Sequence, residues 1–368
     1  MNTPEKCAKN RIIFYDAIKA LAIYLVCIYH YNHLNLNILH ARNLEVYVNY
    51  FFYGMSSIAV PLFFMVNGAL LLNKEYTLRK HLKKTIYLYL LMFVWSFISL
   101  IIFIWIRGDA YSLRAFLRSL FYFEQDVSNH LWFLQALISV YLLFPFIKEI
   151  YDSPRRKLLY LFCSIVFVFS FGNLFINTLI TIAEFAFGFN LLKSNSFDFF
   201  PVINPFGNYY YSLFYFIVGG ILSEKKSSQE LKISSETLLA SFLIALLSLF
   251  LYGIVKTSLD GSIYDIVWNG YYSIMTLVMS VSIFLFLSGI SYNNRTINYF
   301  LTNVGANTLG IYLIHRFVGV LTIGHFQNWV MSDSLLLNVL YGVFVTLSSF
   351  LLVLMIKKTP LLKSILPS

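Results

Sequence analysis

Charge is scarce in this chain. Asp, Glu, Lys and Arg make up only 12% of its 368 residues, too little to cover the surface of a water-soluble protein of that length. Cysteine is nearly absent: Cys7, Cys27 and Cys163 are odd in number and scattered, which gives neither a disulfide framework nor a zinc spacing. Glycine-rich phosphate loops, HExxH, GxSxG and paired carboxylates are missing from every apolar run. That removes support for a nucleotide-dependent enzyme, a metalloprotease, a serine hydrolase or a glycosidase. Internal repeats and low-complexity linkers are not found either.

Apolar residues are abundant: 59% of the chain is hydrophobic, 19% is aromatic, and the mean hydropathy is +0.71. Ten apolar segments can be marked, at about 14–31, 48–72, 85–106, 131–147, 158–171, 208–222, 237–255, 270–290, 306–324 and 334–356. The expected fold is therefore an all-α, polytopic membrane helical bundle of about ten transmembrane helices. Residues 1–368 are read as a single integral-membrane domain with no appended soluble domain. The first run lacks a small-x-small cleavage site and is read as a retained span.

The net charge of +10 would suggest nucleic acid in a soluble protein. Here it follows membrane topology. With the N-terminus placed inside, 19 Lys and Arg fall in inner loops and 6 in outer ones, and Lys19 and Arg316 lie within spans. Both termini are thus expected in the cytoplasm. The stretch 172–207, with an apolar patch from Leu174 to Phe189 that holds Glu184, is expected to be a re-entrant or interfacial helix on the outer side, or an outer loop.

The first span carries the most informative residues. Lys19 and His30 are eleven positions apart, which brings them within about 20° of each other on a helix and separates them by about 16 Å of rise. Asp16 lies three residues before Lys19, where opposite charges meet. Ionisable groups in a span usually face a protein interior or a wet cavity, so this stripe is read as one wall of a polar path. His30, at the outer end, has the ordinary pKa suited to taking a proton from a hydroxyl. Asp16 is expected to orient Lys19. The inner loop after the second span carries Arg79, Lys80, Lys83 and Lys84, either a topology signal on anionic lipid or a cradle for a phosphorylated donor. His130 and Trp132 open the fourth span from outside, as interfacial anchors or as a sugar-binding mouth. His315 and Arg316 sit mid-span, where an arginine costs about 2.5–3.5 kcal/mol, which calls for bracing or for a site. Pro61, Asn67 and Gly68 in the second span point to a kink or to close packing.

Taken together, the chain resembles the membrane acyltransferase-3 family. The resemblance is carried by Tyr15-Asp16-Ala17-Ile18-Lys19-Ala20-Leu21-Ala22 with His30, which fits the family's basic-residue-x10-His motif. It is carried further by Val60-Pro61-Leu62-Phe63-Phe64-Met65-Val66-Asn67-Gly68, by His130-Leu131-Trp132-Phe133-Leu134, by Tyr141 with Pro145, and by Ile311-Tyr312-Leu313-Ile314-His315. Asn67 stands where the family usually has serine, and Lys19 replaces the commoner arginine. The resemblance implies an O-acyltransferase of the bacterial inner (cytoplasmic) membrane. It would move an acyl group, commonly acetyl from acetyl-CoA on the cytoplasmic side, to a hydroxyl of a cell-surface polysaccharide or its lipid-linked precursor. It further implies His30 as catalytic histidine, Lys19 as its motif partner and Arg79 with its basic neighbours as donor anchors. His130, Trp132, His315, Arg316 and Asn67 are the expected substrate contacts, and no metal and no nucleic acid is expected. Direct transfer is preferred to an acyl-histidine intermediate, the homo-oligomeric state is left open, and an exporter or flippase of a surface glycan is the alternative of another class.

Overall fold

The computed structural model describes residues 11–31, 34–40, 43–108, 111–122, 129–188, 197–199, 209–330, 334–360 and 365–366. Among these residues every regular element is helical: α1 (Ile13–His30), α2 (Leu44–Gly54), α3 (Ala59–Leu72), α4 (Leu78–Arg107), α5 (Leu113–Tyr122), α6 (Trp132–Asp152), α7 (Lys157–Phe167), α8 (Asn173–Phe187), α9 (Tyr211–Ser227), α10 (Ser235–Asp260), α11 (Ile274–Gly289), α12 (Arg295–Val330) and α13 (Leu335–Lys358). The chain is an all-α, multi-pass membrane protein. Eight helical stretches among the described residues are long and apolar enough to cross a bilayer, and α9 and α11 are shorter. The ten expected segments are all helical, but they divide into eight full-length stretches and two short ones.

The expectation that 172–207 is a re-entrant or interfacial helix, or an outer loop, needs correction over residues 172–187. α7 and α8 are joined by a π-helical turn, Val168–Gly172, into one stretch from Lys157 to Phe187. At 31 residues it is about 46 Å long, more than the roughly 30 Å of hydrocarbon requires. Every residue from 168 to 187 keeps helical hydrogen bonding, so an apolar segment ran on past the point where hydropathy alone suggested an end. Glu184 lies in its last turn. Residues 189–196 and 200–207 of that stretch lie outside the described residues.

Proline and glycine explain two local features. A 3-10 turn, Met55–Ile58, separates α2 from α3 and leaves Pro61 in the first turn of α3, where its missing N–H is not needed. At Gly68 a Cβ would collide with the Phe216 carbonyl of α9, and at Gly219 with the Met65 backbone of α3. The two helices thus cross with their backbones in contact, which only small residues permit. Close packing is the role of Gly68.

α1 is the central helix. It packs against α3, α11, α12 and α13, and Ile18, Ala22, Ile23 and Cys27 on it are fully buried. The end where α1 begins is tied together by polar contacts: Tyr15 to Ser223, Lys148 Nζ to the Leu72 carbonyl at 2.7 Å, and Arg156 to Glu224.

Candidate active site

α1 and α12 run side by side in the same direction. Lys19 Nζ donates to the Gly305 carbonyl at 2.9 Å, and eleven residues later Arg316 Nη1 lies 3.4 Å from His30 Nδ1, both pairs 286 positions apart. The first pair belongs to a charge cluster. Asp16 is buried, and its two oxygens accept from Lys19 Nζ at 2.7 Å and Arg11 Nε at 2.5 Å. Arg11 also donates to the Thr302 carbonyl. Gly305 leaves room for the Asp16 carboxylate, since a Cβ there would strike it. Asp16 and Lys19 therefore lock the register of α12 against α1 at one end, and that register sets what meets His30 at the other.

His30 is half-buried at the last turn of α1. Its ring centroid is 5.2 Å from that of His315, which is in turn 5.9 Å from that of His130. The imidazole of His130 is carried on the 3-10 turn Asn129–Leu131 that leads into α6. His130 and His315 are buried. His315 Nδ1 lies 2.6 Å from the Tyr312 carbonyl; a carbonyl only accepts, so Nδ1 carries the proton and Nε2 keeps its lone pair in the neutral ring. Among the protein groups, His315 Nε2, both ring nitrogens of His130 and Arg316 Nε have no hydrogen-bond partner. Buried polar atoms are normally satisfied. Four orphans around one half-buried histidine mark a place built for a ligand or for water.

A chamber of about 20 Å³ beside them is lined by Tyr29, His30, His130, Trp132, Phe133 and Tyr312, among others. That is room for one water. Trp268 and Tyr271 also line it. They are positioned by Asp265, whose carboxylate accepts from the Tyr29 and Tyr53 hydroxyls and from the backbone N–H groups of Val267 and Trp268.

The structure thus brings His30, His130, Trp132, His315 and Arg316 together, and sets Asp16 and Lys19 at the other end of α1. Asn67 lies elsewhere. Its Nδ2 donates to the Phe63 carbonyl and its Oδ1 accepts from the Tyr141 hydroxyl at 2.9 Å. Arg79, Lys80, Lys83 and Lys84 are exposed on the first turns of α4, with the Lys84 ammonium 5.3 Å from the Tyr141 ring centre. Between them, His81 solves a problem that Pro145 creates. Pro145 has no N–H for the Tyr141 carbonyl one turn earlier, and His81 Nε2 sits 2.7 Å from that oxygen. Tyr312, Trp268, Tyr271 and Asp265 were not anticipated as site residues. Trp268 and Asp265 fall in a segment that hydropathy marks only as a loop. Among the described residues no group of three His, Cys, Asp or Glu is arranged to hold a metal ion.

A family model described as an acyltransferase domain matches residues 12–357, nearly the whole chain. The chain belongs to the acyltransferase-3 family. Comparison with curated proteins and with solved structures gave no match in either case. As an acyltransferase-3 protein it is a membrane acyltransferase, and the resemblance drawn from five short motifs extends over the matched range. The five motifs gather in two groups. Two of them form the α1 and α12 faces, one opens α6 at His130, and the remaining two join through Asn67 and Tyr141.

Proposed function

We propose that this acyltransferase moves an acyl group, acetyl in the simplest case, from acyl-CoA to a hydroxyl of a cell-surface glycan or its lipid-linked precursor. The observation that carries the reading is the convergence of unpartnered His130, His315 and Arg316 atoms on a half-buried His30. A tetrahedral acyl-transfer intermediate needs a base for the attacking hydroxyl and fixed donors for the oxyanion. His30 is the base and Arg316 supplies the donors.

The resting geometry gives an order to these roles. A guanidinium can only donate, so His30 Nδ1 is the acceptor of the Arg316 contact and keeps its lone pair. At 3.4 Å that contact is long and easily exchanged. When the thioester carbonyl takes over the guanidinium, Nδ1 is released to accept the hydroxyl proton. The hydroxyl oxygen then bonds to the carbonyl carbon, the C–S bond breaks, and the CoA thiolate takes the proton back from His30. The chamber has to widen for this, since its present volume admits one water.

The donor is taken to approach from the end where α1 begins. That end is the cytoplasmic one on the charge count, and Arg79, Lys80, Lys83 and Lys84 there would hold the CoA phosphates. The membrane would be the inner membrane of a bacterium. The test supplies isotope-labelled acetyl-CoA to the inner side of membranes carrying the protein and its native glycan, and follows label into the glycan. Label in the glycan supports transfer. Absence of transfer, with glycan export impaired when the gene is deleted, contradicts it and favours an exporter.

A further inference from the structure

The chain comes back into the bundle after α13. That helix ends at Lys358, and beyond Thr359 and Pro360 two residues, Ile365 and Leu366, lie against α4. The indole Nε1 of Trp95 donates to the Ile365 carbonyl at 2.7 Å, and the Tyr87 hydroxyl donates to the Leu366 carbonyl at 3.1 Å. Trp95 is near the middle of α4, a helix long and apolar enough to cross a bilayer. Backbone outside a regular helix at that depth has to be shielded and its polar groups satisfied. Leu366 is 1% exposed, and it reaches Gly310 of α12, where an added methyl group would lie 3.6 Å from the Leu366 side chain and 3.0 Å from Val353 of α13. Ile365 and Leu366 therefore fill a crevice between α4, α12 and α13, and two side-chain donors of α4 meet their carbonyls there.

The crevice lies between the basic cluster and the histidines. On α4 the residues Lys80, Lys84, Tyr87, Leu91 and Trp95 follow one stripe. Lys84 and Trp95 are eleven positions apart, which puts them within about 20° of each other and separates them by about 16 Å of rise. At the far end of the stripe the Trp95 ring is 6.0 Å, between centres, from that of Phe317, the residue after Arg316. The stripe thus begins at the cations proposed to hold the CoA phosphates and ends beside the arginine that faces His30. Ile365 and Leu366 sit across it.

We infer that Ile365 and Leu366 form an autoinhibitory plug, and that the pantetheine arm of acyl-CoA displaces it and takes over Tyr87 and Trp95. The inference rests on the acyltransferase reading and adds a regulation of its donor. The arm is a flexible chain with two amides between the phosphates and the thioester. An amide carbonyl of the arm accepts from an indole N–H or a phenol as a peptide carbonyl does, so plug and arm compete for the same two donors. Water takes over the carbonyls of a released plug, whereas an empty crevice would leave the Trp95 N–H unpaired. The exchange therefore favours a ligand that brings carbonyls of its own. A plug also sets the apparent affinity for the donor: a crevice filled in nine molecules out of ten weakens binding about tenfold.

The test uses the full-length protein in detergent micelles. Leu366→Cys in a Cys7→Ser background puts a thiol on the plug, and its reaction with a water-soluble maleimide reports release; Cys27 and Cys163 are buried. Two probes are compared at concentrations that displace labelled acetyl-CoA: desulfo-CoA, which has the arm but no thiol, and phosphorylated ADP, the half of CoA without the arm. Labelling should be slow at rest, roughly tenfold faster with desulfo-CoA and unchanged with phosphorylated ADP. A variant ending at Pro360 should bind acetyl-CoA roughly tenfold more tightly at unchanged kcat. Adding Trp95→Phe to that variant should weaken binding roughly fivefold, because only the arm is then left to lose the donor. Fast labelling at rest overturns the inference. Desulfo-CoA that displaces acetyl-CoA without speeding the labelling overturns it too, as does an affinity that Trp95→Phe leaves unchanged, and in each case the acyltransferase reading stands. If the shortened variant does not fold, the thiol measurement decides alone. Acetyl-CoA that fails to bind the full-length protein sinks the donor reading, and the plug with it.

Discussion

Arg316 points its guanidinium at His30, with Nη1 3.4 Å from Nδ1 across two parallel helices. The contact is a donor aimed at a lone pair, and in the proposed mechanism the guanidinium is the positive charge that meets the oxyanion. Arg316→Gln should therefore lower kcat by roughly a hundredfold to a thousandfold and change the acyl-CoA KM little. Steady-state kinetics on reconstituted protein checks this. A raised KM at unchanged kcat would make Arg316 a binding residue only.

Lys19 acts at a distance. It pairs with buried Asp16 and donates to the Gly305 carbonyl, which sets the register that brings Arg316 to His30. Lys19→Ala removes one of the two cations that hold buried Asp16, with Arg11 remaining, and should destabilise the fold by about 1–3 kcal/mol. Lys19→Arg should restore both stability and turnover. The readouts are the midpoint of thermal unfolding in detergent and the turnover of the surviving folded fraction. Wild-type turnover and donor affinity in Lys19→Ala would reduce the pair to packing.

Gly68 and Gly219 let α3 and α9 touch backbone to backbone. Alanine at either position puts a methyl group against a carbonyl or Cα that cannot move aside. Each substitution should cost about 1–3 kcal/mol, seen as a lower unfolding temperature. An unchanged midpoint in both variants would contradict the crossing geometry.

His81 and Pro145 form a coupled pair through the Tyr141 carbonyl. Removing His81 leaves that oxygen without a donor, at a cost of about 1–3 kcal/mol. Pro145→Ala restores a backbone N–H to the same oxygen. The double variant His81→Ala/Pro145→Ala should then be more stable than His81→Ala alone, by a double-mutant cycle. Simple additivity would show that the ring serves another purpose.

Much of this was legible from residue spacing. The eleven-residue step from Lys19 to His30 predicts a shared face, and α12 indeed packs on both. Arg316 was costly enough in a span to require a reason. The reason could not be read, because it lies 286 positions away in sequence. Asn67 is grouped with the substrate contacts by motif, and its partners, the Tyr141 hydroxyl and the Phe63 carbonyl, could not be read from spacing. The continuation of α7 into α8 was hidden by Ser170, Gly172 and Asn173, which lower hydropathy without breaking the helix. Trp268 and Asp265 were illegible for another reason: a loop tryptophan or aspartate has no periodicity to mark it.

The central claim is that the acyl group passes at His30. The measurement that tests it most directly compares wild type with His30→Ala at matched, folded expression, with labelled acetyl-CoA on the inner side of the membrane and label counted in the glycan fraction. The account predicts label with wild type and none above background with His30→Ala. Equal labelling by the two proteins would contradict it.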